Sequence, residues 1–186
     1  MARLFGFISV WVMLVTSAAA QTGDSGWPQR TIRLIVPFPA GSSTDIVARI
    51  VAQKLGLVLS QQVVIENRPG ASGNIGAEVV AKAAPDGYTI GIATASTHAV
   101  AASLSAALPY DPVKDFAPIG MIGDQPYVLV VHPALAVNTL TDLIGLAQAK
   151  PRALNYGSAG VASLAHLATA LFAKMAGVEI VHVPYK

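Results

Sequence analysis

Apolar and polar positions divide the chain into alternating strand-like and helix-like stretches. The run TIRLIVPF (31–38) is rich in β-branched residues and almost continuously apolar, as expected of a strand covered on both faces. STDIVARIVAQKL (43–55) then sets Ile46, Val47, Ile50, Val51 and Leu55 at spacings of three and four, which predicts a helix with Gly56 as its stop. QVVIENR (62–68) reads as a second strand, IGAEVVAKAA (75–84) as a second helix ended by Pro85-Asp86-Gly87, and YTIGIATA (88–95) as a third strand. Residues 108–125 are irregular. A strand over 127–133 follows, and then a helix over 138–151 with Thr139 as cap and Pro151 as terminator. The pattern closes with a strand over 153–160, a helix over 163–177 stopped by Gly177, and a strand over 178–186.

Strands and helices alternating through short links predict an α/β fold of parallel βαβ units with helices on both faces of the sheet. The strand C-terminal ends then share one edge, where such sheets take their ligands. The second βαβ set has fewer elements than the first. The expected organisation is a first α/β lobe over 21–125 and the beginning of a second, incomplete lobe over 126–186.

The first twenty residues stand apart from this pattern. A short positive start (Met1-Ala2-Arg3) precedes a 12-residue apolar stretch at 4–15 and then small residues at Ala18 and Ala20. That order is a secretory signal peptide, with cleavage expected after Ala20. Twelve residues are too few for a spanning helix, which needs about 20; an uncleaved anchor is the alternative. Cysteine is absent, which excludes a disulfide scaffold and every Cys-based metal or redox motif. Export without cysteine suits a bacterial periplasm.

Net charge is +2 with 12% charged residues and no Lys/Arg run, so nothing suggests nucleic acid as a partner. The four histidines (His98, His132, His166, His182) match no metal-ligand spacing. The 53% apolar content reads as core, and no cofactor is expected. No Gly-x-Ser-x-Gly elbow occurs. The enzyme alternative is a small α/β hydrolase or isomerase using Ser96 and His98, two residues apart in TASTHA. A serine is activated by an imidazole aimed from another element, which this spacing does not favour. Glu66 and Asp86 are the other acid–base candidates.

Chemistry is concentrated where strands hand over to helices. In IVPFPAGSSTDIVARI (35–50) the turn contains no bulky side chain. Its backbone amides sit at a helix N-terminus, which carries about +0.5 charge and attracts anions. Gly41 permits close approach, Ser42, Ser43 and Thr44 bring hydroxyls, and Asp45 lies in the first turn, where a carboxylate stabilises the helix itself. These are equally the residues of an ordinary capped loop. Two further strand ends repeat the theme: TASTHA (94–99) and SAGVAS (158–163). Three hydroxyl-rich, charge-poor turns on one edge put a binding pocket level with ordinary capping as a reading.

Taken together, the blocks VPFPAGSSTD (36–45), ENRPGASGNIG (66–76), APDGYT (84–89), LPYDPVKDFAPI (108–119) and MAGVEIVHVPYK (175–186) resemble the Bug family. These TctC-like proteins are the substrate-binding receptors of tripartite tricarboxylate transporters. The resemblance runs from about Trp27 to Lys186. It implies a periplasmic-binding-protein type II-like fold, a small di- or tricarboxylate or related organic acid between two lobes, delivery to membrane permease subunits, and a monomer. By the resemblance the ligand-binding residues are Ala40, Gly41, Ser42 and Ser43, then Thr94, Ser96 and Thr97, then Ser158, Ala159 and Gly160. Ser42 stands where the family usually has a second glycine, and Ala162 where it has another. Family members continue far beyond HVPYK, so the resemblance also implies a C-terminally truncated form with weak or no binding.

Overall fold

The computed structural model describes residues 26–105 and 107–185; the expected export segment at 1–20 lies outside them. The elements run β1 (Ile32–Val36), α1 (Ser43–Leu59), β2 (Val63–Asn67), α2 (Asn74–Ala81), β3 (Thr89–Gly91), α3 (Ala101–Leu104), α4 (Leu140–Ala149), β4 (Asn155–Ser158), α5 (Leu164–Ala176) and β5 (Val181–Pro184). Two parallel sheets result, one of order β2-β1-β3 and one pairing β4 with β5. The chain is therefore α/β with parallel βαβ units, as the alternating pattern predicts.

β1 is the centre of the first sheet because its side chains are apolar on both faces. Ile32, Ile35 and Val36 are fully buried and Leu34 is 2% exposed. Leu34 and Val36 pack with Ala48 and Ala52 of α1. Ile35, on the other face, lies among Ala77 and Val80 of α2 and Gly91 of β3. Parallel register runs from Ile32 opposite Val63 to Val36 opposite Asn67, and from Arg33 opposite Thr89 to Ile35 opposite Gly91. Both crossovers start from this edge, one toward β2 and one back past β1 to β3. The reversal of direction leaves a crevice beside the C-terminal end of β1.

Three expectations differ from the structure. α1 does not stop at Gly56. It continues to Leu59 and is capped by Ser60 in the left-handed region at φ 52, whose amide returns to the Gly56 carbonyl. Its buried stripe is Asp45, Ala48 and Ala52, while Ile46 and Ile50 are more than half exposed. Small side chains let α1 lie close on the sheet, so the contact falls on its alanines and the larger residues beside them face outward.

The strand expected over 127–133 does not form. Val128 and Val130 are 77% and 80% exposed, and no described strand lies alongside them. A strand is made by its hydrogen-bonding partner, and β-branched sequence alone does not supply one. Residues 96–104 turn the other way: the expected strand-end turn becomes a wide helical turn, Ser96–Val100, leading into α3.

α4 follows its sequence signals. Thr139 caps it, accepting from the Asp142 amide, and the Asp142 carboxylate accepts from the Thr139 amide in return. Thr139→Ala is expected to cost about 1 kcal/mol in urea denaturation, the usual worth of such a cap. No helix among the described residues is long and apolar enough to cross a membrane.

Candidate functional site

The turn leaving β1 is fixed by the sheet and by one buried carboxylate. Ser42 caps α1, its hydroxyl accepting from the Asp45 amide at 3.3 Å. Asp45, 2% exposed, accepts from the Gly41 amide at 2.9 Å, from Arg49 at 2.9 and 3.1 Å, and from Asn67 Nδ2 at 2.9 Å. Asn67, at the end of β2, also donates to the Phe38 carbonyl at 3.0 Å, tying two strand ends together. Hydrogen bonds from Arg49, Gly41 and Asn67 hold the Asp45 carboxyl at about 2, below its ordinary 3.8. The protein thus supplies its own anion to part of this helix end. Gly41, at φ 81, and Ser42 are committed to that arrangement, with the Ser42 amide bonded to the Pro39 carbonyl. The amides of Ser43 and Thr44 find no acceptor among the described residues, and Ala40 is exposed beside them.

The second turn is closed by a threonine. Thr97 is fully buried; its hydroxyl accepts from the Thr94 amide at 3.1 Å and lies 2.8 Å from His98 Nδ1. The Tyr110 hydroxyl donates to the Thr97 carbonyl at 2.7 Å, and His98, Tyr110 and Phe116 pack edge-on and tilted beneath it. Burial lowers the His98 pKa and raises that of Tyr110. Thr97 therefore shapes the turn from inside. Ser96, also buried, reaches across to α5 instead: its hydroxyl accepts from the Leu164 amide at 3.1 Å. Ser96 and His98 thus bond to different partners and form no serine–imidazole dyad. Glu66 and Asp86 are likewise apart, Glu66 paired with Arg33 and Arg68 and Asp86 with Arg30.

The third turn belongs to the second sheet. Ser158, at the end of β4, is 8% exposed; its hydroxyl lies 3.0 Å from the Gly160 carbonyl and 2.6 Å from His182 Nε2, and it accepts from the Gly160 amide at 3.2 Å. Gly160 takes φ 119, open only to glycine, and a Cβ there would lie 3.0 Å from Ser72 Oγ. Ser163 caps α5, accepting from the His166 amide. The amides of Ala159 and Val161 find no acceptor among the described residues.

These three turns meet. Ser96 holds the first amide of α5, and Ser72, from the loop after β2, donates to the Val161 carbonyl at 2.5 Å. Gly73 lies where a side chain would strike Thr97, Pro37 and Phe38, so the loops after β1, β2 and β3 are in mutual contact. Of the ten residues expected to bind ligand, Ser96 reaches the start of α5 and Gly160 lies beside Ser72 of the loop after β2. Gly73 of that loop lies against Thr97 and against Phe38 ahead of the first turn. No hydrogen bond joins Thr94 or Thr97 to Ser158, Ala159 or Gly160 among the described residues. Sequence reasoning passed over Ser72, Asn67, Arg49 and Leu164. The i,i+4 spacing of Asp45 and Arg49 is a readable signal; the Ser72 and Leu164 contacts span 89 and 68 residues and have no local signature. A separate open groove, lined by Ala102 and Leu108–Pro112, lies along the segment after α3. No cluster of three or more potential metal ligands occurs among the described residues.

Residues 47–186 match the model of the tripartite tricarboxylate transporter family receptor. Protein BugT of Bordetella pertussis is 41% identical over 187 aligned residues, which take in all of this chain and 57% of that protein. Among solved structures, R. palustris Rpa4515 with adipate superposes with a TM-score of 0.83 at 45% identity, covering 86% of this chain and 54% of that one. MatC from Rhodopseudomonas palustris with bound malate gives 0.78 at 33% identity, covering 85% and 54%. The chain thus spans about half the length of the relatives it matches. With a family model over most of its length and this fold around converging strand-end turns, the chain belongs to the tripartite tricarboxylate transporter receptor family.

Proposed function

We propose that this chain forms the binding edge of an extracytoplasmic solute receptor that takes the carboxylate of a small organic acid and delivers it to membrane permease subunits. The observation that carries this reading is the linkage of strand-end turns by the Ser72–Val161 and Ser96–Leu164 bonds, with the amides of Ser43, Thr44, Ala159 and Val161 left without an acceptor among the described residues. Peptide N–H groups at helix starts stabilise a carboxylate without any catalytic group. Adipate and malate, the acids held by the two relatives above, are the natural probes. Residues 21–125 act as the first lobe and 126–186 as part of the second, the export segment at 1–20 is removed after Ala20, and the product is a periplasmic monomer.

Ser96 and Ser72 carry the contact between the edges, and an incoming carboxylate oxygen competes with the Ser96 hydroxyl for the Leu164 amide. A charge-assisted hydrogen bond is worth roughly 1.5–3 kcal/mol, and the ordering cost of binding offsets much of the sum over a few of them. A dissociation constant near 1 mM, about 4 kcal/mol, is expected for the donors present here. Calorimetric titration with adipate and with malate checks this. Heat of binding with a raised melting temperature and unchanged acid supports the receptor reading. Absence of binding to every small mono-, di- and tricarboxylate, or turnover of an ester or keto-acid panel, contradicts it.

A further inference from the structure

Behind the third turn, three aromatic rings form a stack with no evident part in gripping a ligand. Tyr156 of β4, His182 of β5 and His166 of α5 lie nearly parallel: His166 and His182 have centroids 4.1 Å apart at 12°, and Tyr156 sits 4.9 Å from His182. Each imidazole is bonded to the turn. The Ala162 amide donates to His166 Nδ1 at 3.1 Å, and His182 Nε2 lies 2.6 Å from Ser158 Oγ. Ala162 is an L-residue at φ 64, a conformation that persists only where surrounding bonds hold it.

We infer that His166 and His182 are positioning residues that hold the 158–163 turn in its binding shape while both are neutral and release it on protonation. The inference rests on the receptor reading for its consequence, but not for the pH response of the turn itself.

Three features set the direction. His166 accepts the Ala162 amide through Nδ1, so a proton there removes that bond. His166 lies in the first turn of α5, where a cation opposes the positive end of the helix. Two imidazoliums at 4.1 Å repel strongly. The groups facing the pair are Tyr156 from β4, each histidine from its own element, and the Ser158 hydroxyl at the end of β4. No carboxylate lies within 4.0 Å of either imidazole among the described residues to compensate a charge. Burial, and then the nearby His166, lower the pKa of His182. A base depressed in the folded state contributes stability above its unfolded value of about 6.5, and that contribution is lost as pH falls toward the folded value.

The test is a pH series from 8 to 5 on the isotopically labelled chain, following the histidine ring protons together with the Gly160 and Ala162 amides. The amides are expected to move in step with the rings as the pH falls. The double variant His166→Asn, His182→Gln keeps an acceptor for Ala162 and a donor for Ser158 but does not titrate, and its amides are expected to stay still. Adipate titrations of both forms give the functional arm. From pH 7.5 to 5.5 the wild-type affinity should fall about tenfold more than that of the variant, whose own loss measures the titration of the acid. Amides that stay fixed while the rings titrate overturn the inference, and that arm needs no variant. Wild-type affinity that rises against the variant on acidification also overturns it. Amides that track the rings in a chain binding no acid at any pH support the turn's pH response and count against the receptor reading alone.

Discussion

Asp45→Ala is expected to produce the largest loss of stability of any single change at the sheet edge, together with loss of acid binding. The substitution leaves the Gly41 amide, the Asn67 amide group and the Arg49 guanidinium without their shared acceptor. Breaking a buried, hydrogen-bonded charge by removing one partner is costly because the remaining groups are left unsatisfied. The fall in melting temperature should be about twice that of Thr139→Ala or more. Asp45→Asn separates shape from charge: it fits the space but turns a donor toward Arg49 or Asn67, and should recover only part of the loss. The pH dependence has a definite sign. The Asp45 carboxyl is depressed to about 2 from 3.8, so its contribution is full above the ordinary value and is lost as pH falls through about 2. Acid denaturation followed by circular dichroism should show this component in the wild type and not in Asp45→Asn.

The second large effect is expected at Gly76, inside α2. A Cβ there would lie 2.7 Å from the Cα of Pro37 and 2.9 Å from the Arg68 carbonyl. Both neighbours are backbone, so the clash cannot be relieved by a rotamer change. Either α2 lifts from the sheet or the exit of β1 shifts. Gly76→Ala gains helix propensity of about 1 kcal/mol, yet overpacking typically costs 1–3 kcal/mol, and a clash with backbone lies at the upper end. A net loss of about 1–2 kcal/mol in urea denaturation is expected. Because Pro37 begins the turn that carries Ser43 and Thr44, acid affinity should fall as well. An unchanged denaturation midpoint would mean that α2 does not pack this closely on the β1 exit.

Much of this architecture is readable from residue patterns because its signals are local. Continuous apolar β1, the Ser42, Thr139 and Ser163 caps, and the left-handed stop at Gly177 all sit within a few residues of the elements they define. The misses share one cause. Gly56 looks like a stop, but the left-handed cap is supplied by Ser60; residues 127–133 look like a strand, but pairing is a property of two segments. Within the site, the hydroxyl-rich turns are visible in the sequence while the division of labour among them is not. Thr97 and Ser96 are adjacent and chemically alike, yet one is locked inside its own turn and the other reaches across to α5. That difference arises from the wide helical turn after β3, which brings Tyr110 beneath Thr97. The contact of Ser72 with Val161 depends on two loops 89 residues apart.

The most direct measurement is the response of the backbone amides to a small acid. Uniformly labelled protein would be titrated with adipate and then malate into the millimolar range. Shifts concentrated at Ser43, Thr44, Ser96, Ala159, Val161 and Leu164 are predicted, because the proposed site takes the acid at these strand-end turns. Spectra that do not change, or shifts centred on the groove lined by Ala102 and Leu108–Pro112, would contradict a carboxylate site at the strand ends.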